Sequence, residues 1–272
     1  AFFMNYHSRD PILSGQAAPQ SAYNAAIGAG ALAPMIVAGN SSYYVEYPED
    51  IRLYGLSFAT TLSTGTRWKG ELSYRPNAPV QLNSNDLLYA NVTLLPGLAE
   101  ASPLSVTPGA DIQGYRRKEV SQFQTSLAHT FDNGMGADRM TLIGEVGMTH
   151  VAGLEGNSER RYGRDPVFGS AGNDGFTTAN SWGYRARAVW EYNHVYPSLR
   201  LKPNLAWSHD VSGYSPGPEN TFEEGRKAVS VGVDAEYQNT YTSSLSYTNF
   251  FGGRYSTLSD RDFMALSVGI KF

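Results

Sequence analysis

The chain has 272 residues with a formal net charge of -4, 28 Gly, 18 Tyr, 12 Phe, 4 Trp and no Cys. That composition excludes a disulfide-stapled scaffold and, lacking any basic stripe, a nucleic-acid partner. It also excludes membrane-spanning helices, because the longest apolar run, Ala25 to Gly39, is broken by glycines and Pro34 and falls short of the roughly 20 residues such a helix needs.

Taken in chain order, Ala1 to His7 reads as the end of a strand, with Phe2, Met4 and Tyr6 on one face, and its abrupt start and the absence of a signal peptide predict a mature form or a fragment. Residues 11–45 carry no charge. They predict a short helix around Ala22 to Ile27, since Gly and Pro punctuate the stretch too often for a long one. Consecutive Met35, Ile36 and Val37 argue for an apolar loop packed on or into something rather than a solvated linker. SYYVEYPEDIRLYGLSFATTLS predicts one long extended segment, interrupted at Pro48 by a missing amide hydrogen, with Leu56, Phe58 and Leu62 opposite Ser57, Ala59 and Thr61. After a turn at Ser63 to Thr66, Trp68, Leu72 and Tyr74 oppose Arg67, Lys69, Glu71, Ser73 and Arg75. Residues 76–109 form a long connection holding a second apolar patch, Asp86 to Leu98.

Alternation then resumes. Phe123, Leu127 and Phe131 oppose Gln122, Gln124 and Ser126, and Met140, Leu142, Val146 and Met148 oppose Thr141, Glu145 and Thr149. The clearest strand, SWGYRARAVWEYNHVY, sets Trp182, Tyr184, Trp190 and Tyr192 against Arg185, Arg187 and Glu191. In the next, Leu199, Leu201, Leu205 and Trp207 oppose Arg200, Lys202 and Asp210; after it, Val229, Val231, Val233 and Tyr237 oppose Asp234 and Glu236. A strand TSSLSYTNFF returns, and the chain ends on DRDFMALSVGIKF, where Met264, Leu266, Val268, Ile270 and Phe272 alternate with mixed residues that include Lys271.

This pattern of period two predicts an all-β chain of about ten strands. The connections alternate between short turns and long loops, as the strands of an outer-membrane barrel do. A strand with Trp and Tyr on one side and Arg and Glu on the other cannot bury both faces in one dry core; lipid on one side and a wet lumen on the other resolve that conflict. The expected fold is therefore a transmembrane antiparallel β-barrel, 1–272 being one barrel domain with short periplasmic turns and long extracellular loops. The terminal strand is expected to seal the barrel against its first strand, or against one upstream of this sequence.

The runs YPEDIRLYGLSFATTLSTGTRWKGELSYRPNAPVQL (residues 47–82) and NLAWSHDVSGYSPGPENTFEEGRKAVSVGVDAEY (residues 204–237), with SYTNFFGG and DRDF after them, resemble domain-of-unknown-function family 1302 of Gram-negative outer-membrane proteins. The resemblance implies residence in the bacterial outer membrane, in settings linked to lipid, steroid or other hydrophobic-compound traffic. It also implies longer members, of which this chain is the carboxyl-terminal part, and it carries no catalytic residues.

Three functions compete. The first is a channel or transporter for hydrophobic or amphipathic small molecules, captured by apolar extracellular loops through Met35, Ile36, Val37, Leu87, Leu88, Tyr89, Leu94 and Leu95; against it, those loops could simply plug the lumen. The second is a polar-solute porin lined by Arg67, Lys69, Glu71, Arg75, Glu145, Arg185, Arg187, Glu191, Arg200, Lys202, Asp234 and Glu236, a set too balanced in sign to predict ion selectivity. The third, a lipid-acting enzyme, needs a nucleophile beside a base. His129, His150, His194 and His209 have no Ser fixed beside them, so no catalysis, cofactor or metal is expected. The bilayer, lipopolysaccharide and the barrel-assembly machinery are the expected macromolecular partners. Arg116, Arg117, Lys118 and the RRYGR run at Arg160 to Arg164 read as rim charge, either solvated or facing lipopolysaccharide phosphates, and Asp174, Glu219, Glu223 and Glu224 as turn and rim charge without calcium-loop spacing.

Overall fold

The computed structural model describes residues 1–218 and 220–272. Ten strands form one antiparallel sheet: β1 (Phe2–Tyr6), β4 (Ile51–Thr61), β5 (Arg67–Gln81), β7 (Tyr115–Asp132), β8 (Arg139–Ala152), β9 (Asn180–Tyr196), β10 (Leu199–Ser212), β11 (Lys227–Tyr237), β12 (Tyr241–Phe251) and β13 (Phe263–Ile270), neighbouring in that order. A second, three-stranded sheet contains β2 (Ile12–Gln16), with β3 (Ser42–Glu46) on one side and β6 (Asp111–Ile112) on the other. The helices are short: α1 (Gln20–Ala26), α2 (Ala33–Gly39) and α3 (Ser84–Ala90). None is long and apolar enough to cross a membrane among the described residues.

Register carries the alternation across the whole large sheet. Leu56 lies opposite Leu72, which lies opposite Phe123, then Met148, then Trp182. Further on, Leu205, Val231, Tyr247 and Met264 make a similar row. These side chains are on one face, and most are at least a third exposed. The other face carries Ser57, Glu71, Gln124, Gly147, Gly183 and Asp210 in one row. Side chains two residues apart share a face of a strand, so both faces were set by sequence alone. Only β1 departs: Phe2, Met4 and Tyr6 pair with Gly55, Leu53 and Ile51 on the polar face. Phe2 seats its ring on Gly55, where a Cβ would come within 2.1 Å of that ring, so any larger residue would have to push the ring aside.

The sheet is not closed. β13 pairs with β12 alone and β1 with β4 alone, so the expected seal between the terminal and first strands does not form within this chain. The connections do alternate: 62–66, 133–138, 197–198 and 238–240 at one end, and 7–50, 82–114, 153–179, 213–226 and 252–262 at the other.

Three local readings need correcting. The segment from Ser42 to Ser63 is not one extended run, because β3 and β4 belong to different sheets, parted at Pro48 and at Asp50, whose φ of 55° turns the chain. β5 continues past Tyr74 to Gln81 in spite of Pro76 and Pro79, through a register shift between Arg75 and Ala78. There the Asn77 side chain takes over from the ladder, accepting the Arg52 N–H at 2.9 Å and donating to the Asp50 carbonyl at 2.7 Å. Finally, the uncharged stretch is not loop throughout. α1 starts two residues ahead of the expected helix, and α2 holds Pro34 in its first turn, where a missing N–H costs no bond.

The hydrophobic core lies at the long-loop end of the sheet. Ala78, Val80, Val120 and Val151, on the polar face, pack against Leu82, Leu87, Ala90, Leu104 and Tyr162 from the loops. A second cluster joins α1 and α2 to the segment after α3, through Ala22, Tyr23, Ala26, Val37, Val92 and Leu95.

Candidate functional site

Asn91, almost fully buried, ties the two apolar loops together. Its side-chain carbonyl accepts the Ala18 amide at 3.1 Å and its backbone carbonyl accepts the Tyr23 hydroxyl at 2.8 Å. Replacing Asn91 with Ala strands the Ala18 amide in a dry site, at a cost of about 1–3 kcal/mol. The expected result is faster hydrogen exchange at Ala18 and in α1, with exchange in β10 to β12 unchanged.

Joined in this way, the loops leave a cleft of about 720 Å³ between α1, the start of α2 and residues 94–98. Its walls are mainly small or apolar: Ala26, Ile27, Ala31, Pro34, Leu94 and Leu98. Gln20 and Asn24, one turn apart on α1, supply the polar edge, and the Gln20 amide donates to the Asn24 side-chain carbonyl at 3.1 Å. The size matches that of small-molecule sites, commonly about 300–1,000 Å³.

The capture residues expected from sequence divide in two. Val37, Leu87 and Leu95 are buried, and Ile36 packs against the second cluster, so these four hold the loops together. Met35, Leu88, Tyr89 and Leu94 are exposed, and Leu94 lies in the cleft with part of Leu95. Gln20, Asn24, Ala31 and Leu98 were not foreseen; the charge-free run and the four-residue spacing of Gln20 and Asn24 were the available signals.

On the polar face, several of the charged side chains form local pairs. Arg200 and Lys271 both reach Glu236, at 3.2 and 2.8 Å, and Lys202 meets Glu191 at 3.1 Å. Asp234 lies across from Lys202. Arg67, Lys69 and Glu71 are exposed, Arg187 likewise, and Arg75 donates to Gln122 at 2.7 Å. Glu145 faces Arg185 across β8 and β9.

The loop 213–226 comes down onto this face, apart from Glu219, which lies outside the described residues. Asp210, nearly fully buried, pairs with Arg185 at 2.9 Å and Arg226 at 2.6 Å, and Arg226 also pairs with Glu223 at 3.0 Å. Phe222 seats over Gly147, where a Cβ would stand 3.0 Å from its ring, and Arg185 flanks it at 6.0 Å. Gly147 faces Gly183 across the ladder, which gives that ring its space. The loop thus covers part of the polar face. Phe222 and Arg226 had no distinguishing pattern in the sequence.

The basic clusters are hydrogen-bonded throughout, with Arg161 and Arg164 buried and Arg117 exposed. Arg161 is buried in a fork with Asp86 and donates to the Ser170 carbonyl at 2.7 Å. Arg164 donates to the carbonyls of Gly169 and Asp174, at 2.6 and 2.8 Å, with its guanidinium 4.0 Å from the Phe176 ring centre. Arg160 and Lys118 both hold Glu155, at 2.9 and 2.8 Å. Burial alone would raise the Glu155 pKa, but hydrogen bonds from Lys118, Tyr162 and Arg160 bring it down to about 2. Arg117 donates to the Glu49 carbonyl at 2.7 Å, and Arg116 to the Tyr115 carbonyl at 2.8 Å. Glycine-rich loops expose many carbonyls, and these guanidinium groups satisfy them.

Three histidines are on the apolar face: His129 bonds Thr66 at 2.8 Å, His150 bonds Asn180 at 2.8 Å, and His209 meets Tyr184 and Trp207 edge to face. Among the described residues, no three His, Cys, Asp or Glu side chains gather as metal ligands.

A family model described as "Protein of unknown function (DUF1302)" matches residues 1–272. No curated protein and no solved structure matches the chain.

Proposed function

Since the chain belongs to the DUF1302 family over residues 1–272, whose description names no activity, we infer its role from its own surfaces and propose a wall of an outer-membrane β-barrel that captures and passes hydrophobic or amphipathic small molecules. The observation that carries the proposal is the apolar face, which is exposed from β4 to β13 while the opposite face is charged. Water tolerates contiguous apolar patches of only a few hundred Å² on a monomer. Lipid removes that conflict and demands closure, because every unpaired backbone group in hydrocarbon costs several kcal/mol. The free edge of β13 would therefore meet the β1–β4 edge, directly or through further strands. The short connections would face the periplasm and the long ones the exterior, as in bacterial barrels.

The charge-free cleft favours a hydrophobic cargo over a polar solute. A polar-solute porin gains support from the charged face, but Phe222 and the Asp210 network would narrow the path there. Neither reading gives the chain a catalytic role.

Uptake of a fluorescent hydrophobic probe into liposomes bearing the protein separates the two. Leu94→Glu, which adds a carboxylate at the mouth of the cleft, should slow uptake about tenfold while ion conductance stays as it was. Large, steady conductance together with uptake indifferent to Leu94→Glu would favour the porin instead. Deleting residues 86–98 is a poorer test, because Leu87, Ala90, Val92 and Leu95 are core residues.

A further inference from the structure

We propose that the cleft selects uncharged ligands, an apolar chain or ring system bearing one hydroxyl or carbonyl group, and rejects the corresponding carboxylates. The inference rests on the capture reading above and narrows its ligand. None of the residues lining the cleft is charged, and residues 11–45 around it contain no charged residue. An anion resting on those walls would give up part of its water to apolar side chains without meeting a cation, a loss that nothing in the lining offsets. The arginines nearest in sequence, Arg9 and Arg52, do not line the cleft.

The polar edge makes the preference specific. Tyr23 spends its hydroxyl hydrogen on the Asn91 carbonyl. The Gln20 amide donates to the Asn24 carbonyl, which leaves the Gln20 carbonyl and the Asn24 amide group to face a ligand. An acceptor on Gln20 with amide N–H donors beside it, on an exposed helix face, suits a single hydroxyl or carbonyl group. The rest of the wall, Ile27, Ala31, Pro34, Leu94 and Leu98 among it, offers apolar contact alone.

The test compares 10-(1-pyrene)decanol with 10-(1-pyrene)decanoate on the whole chain in phospholipid nanodiscs, with protein-free nanodiscs subtracted. At pH 8 the alcohol should bind at least about tenfold tighter than the carboxylate, and the gap should close as the acid is protonated at lower pH. Ala31→Trp, which fills the cleft from an exposed position, should abolish alcohol binding, and joint replacement of Gln20 and Asn24 by Ala should weaken it without restoring the carboxylate. Equal affinities at pH 8 would overturn the selectivity and leave capture standing. Alcohol binding untouched by Ala31→Trp would place the site elsewhere, and binding of neither probe would overturn selectivity and capture together.

Discussion

Arginine at position 245, in the middle of the apolar face, is expected to lower stability in a bilayer by about 2–4 kcal/mol, the range for a lipid-facing arginine near the midplane of a barrel. Its neighbour on the polar face, Ser246→Arg, should change stability by no more than about 0.5 kcal/mol. The contrast follows from register. Leu245 is 43% exposed and lies between Val233 and Leu266, whereas Ser246 lies between Gly232 and Ala265 on the side that carries Glu236 and Lys271. In water an exposed Leu→Arg change would be close to neutral, and in a packed protein interior both variants would fail. Urea titration of the two variants folded into liposomes reads the difference directly. Equal midpoints for Leu245→Arg and the parent would mean that this face does not meet hydrocarbon.

The same alternation made the large sheet legible before any coordinates. Charged and aromatic residues on opposite parities, as in Arg185 and Trp182, leave a strand only one way round, and β9 and β12 each lie within one residue of the runs SWGYRARAVWEYNHVY and TSSLSYTNFF. Hidden were the elements whose cues are local. α3 begins with Asn83 accepting the Asp86 amide at 3.2 Å, a cap signal that stands in the sequence but is short of the apolar periodicity that makes a helix evident. Pro34 reads as a breaker until it is seen to occupy the first turn of α2. β2 pairs with strands far along the chain, and nothing in ILSGQ names Tyr43, Tyr44 or Ile112 as its neighbours.

The candidate site was legible as a region and not as a residue list, for a physical reason. Apolar side chains of similar size part company in these loops: Val37, Leu87 and Leu95 go into the two clusters, whereas Ile27, Leu88 and Leu94 stay exposed, and composition does not distinguish the two groups. The cleft is lined by side chains that the clusters leave over, Ile27, Ala31, Pro34 and Leu94 among them, with the polar pair Gln20 and Asn24 at the edge. A hydrophobic stretch therefore announces a site without saying which of its residues build the scaffold.

That scaffold is fastened under the loops by a buried ion pair, and its removal should have a large effect. Asp86, 1% exposed, forks onto Arg161 through Nε at 2.8 Å and through a second guanidinium nitrogen, while its backbone carbonyl accepts the Ser102 hydroxyl at 2.8 Å. Arg161 in turn donates to the Ser170 carbonyl and lies 4.9 Å from the centre of the Phe176 ring, so the pair binds α3 to the loop 153–179. Asp86→Ala leaves a guanidinium without its counter-charge where water does not reach, a loss of about 3–5 kcal/mol. The exposed pair of Arg254 and Asp174, 3.6 Å apart, supplies the control, since Arg254→Ala should cost less than about 1 kcal/mol. Limited proteolysis within 153–179 should become rapid in Asp86→Ala alone, and ligand capture should fall with it, because Leu87 and Ala90 anchor the same helix to the core. Combining Asp86→Leu with Arg161→Met removes both charges and should recover most of the loss. If the double variant is as protease-sensitive as Asp86→Ala, the pair does more than neutralise one buried charge, and the loop depends on the hydrogen bonds of Arg161 to its carbonyls.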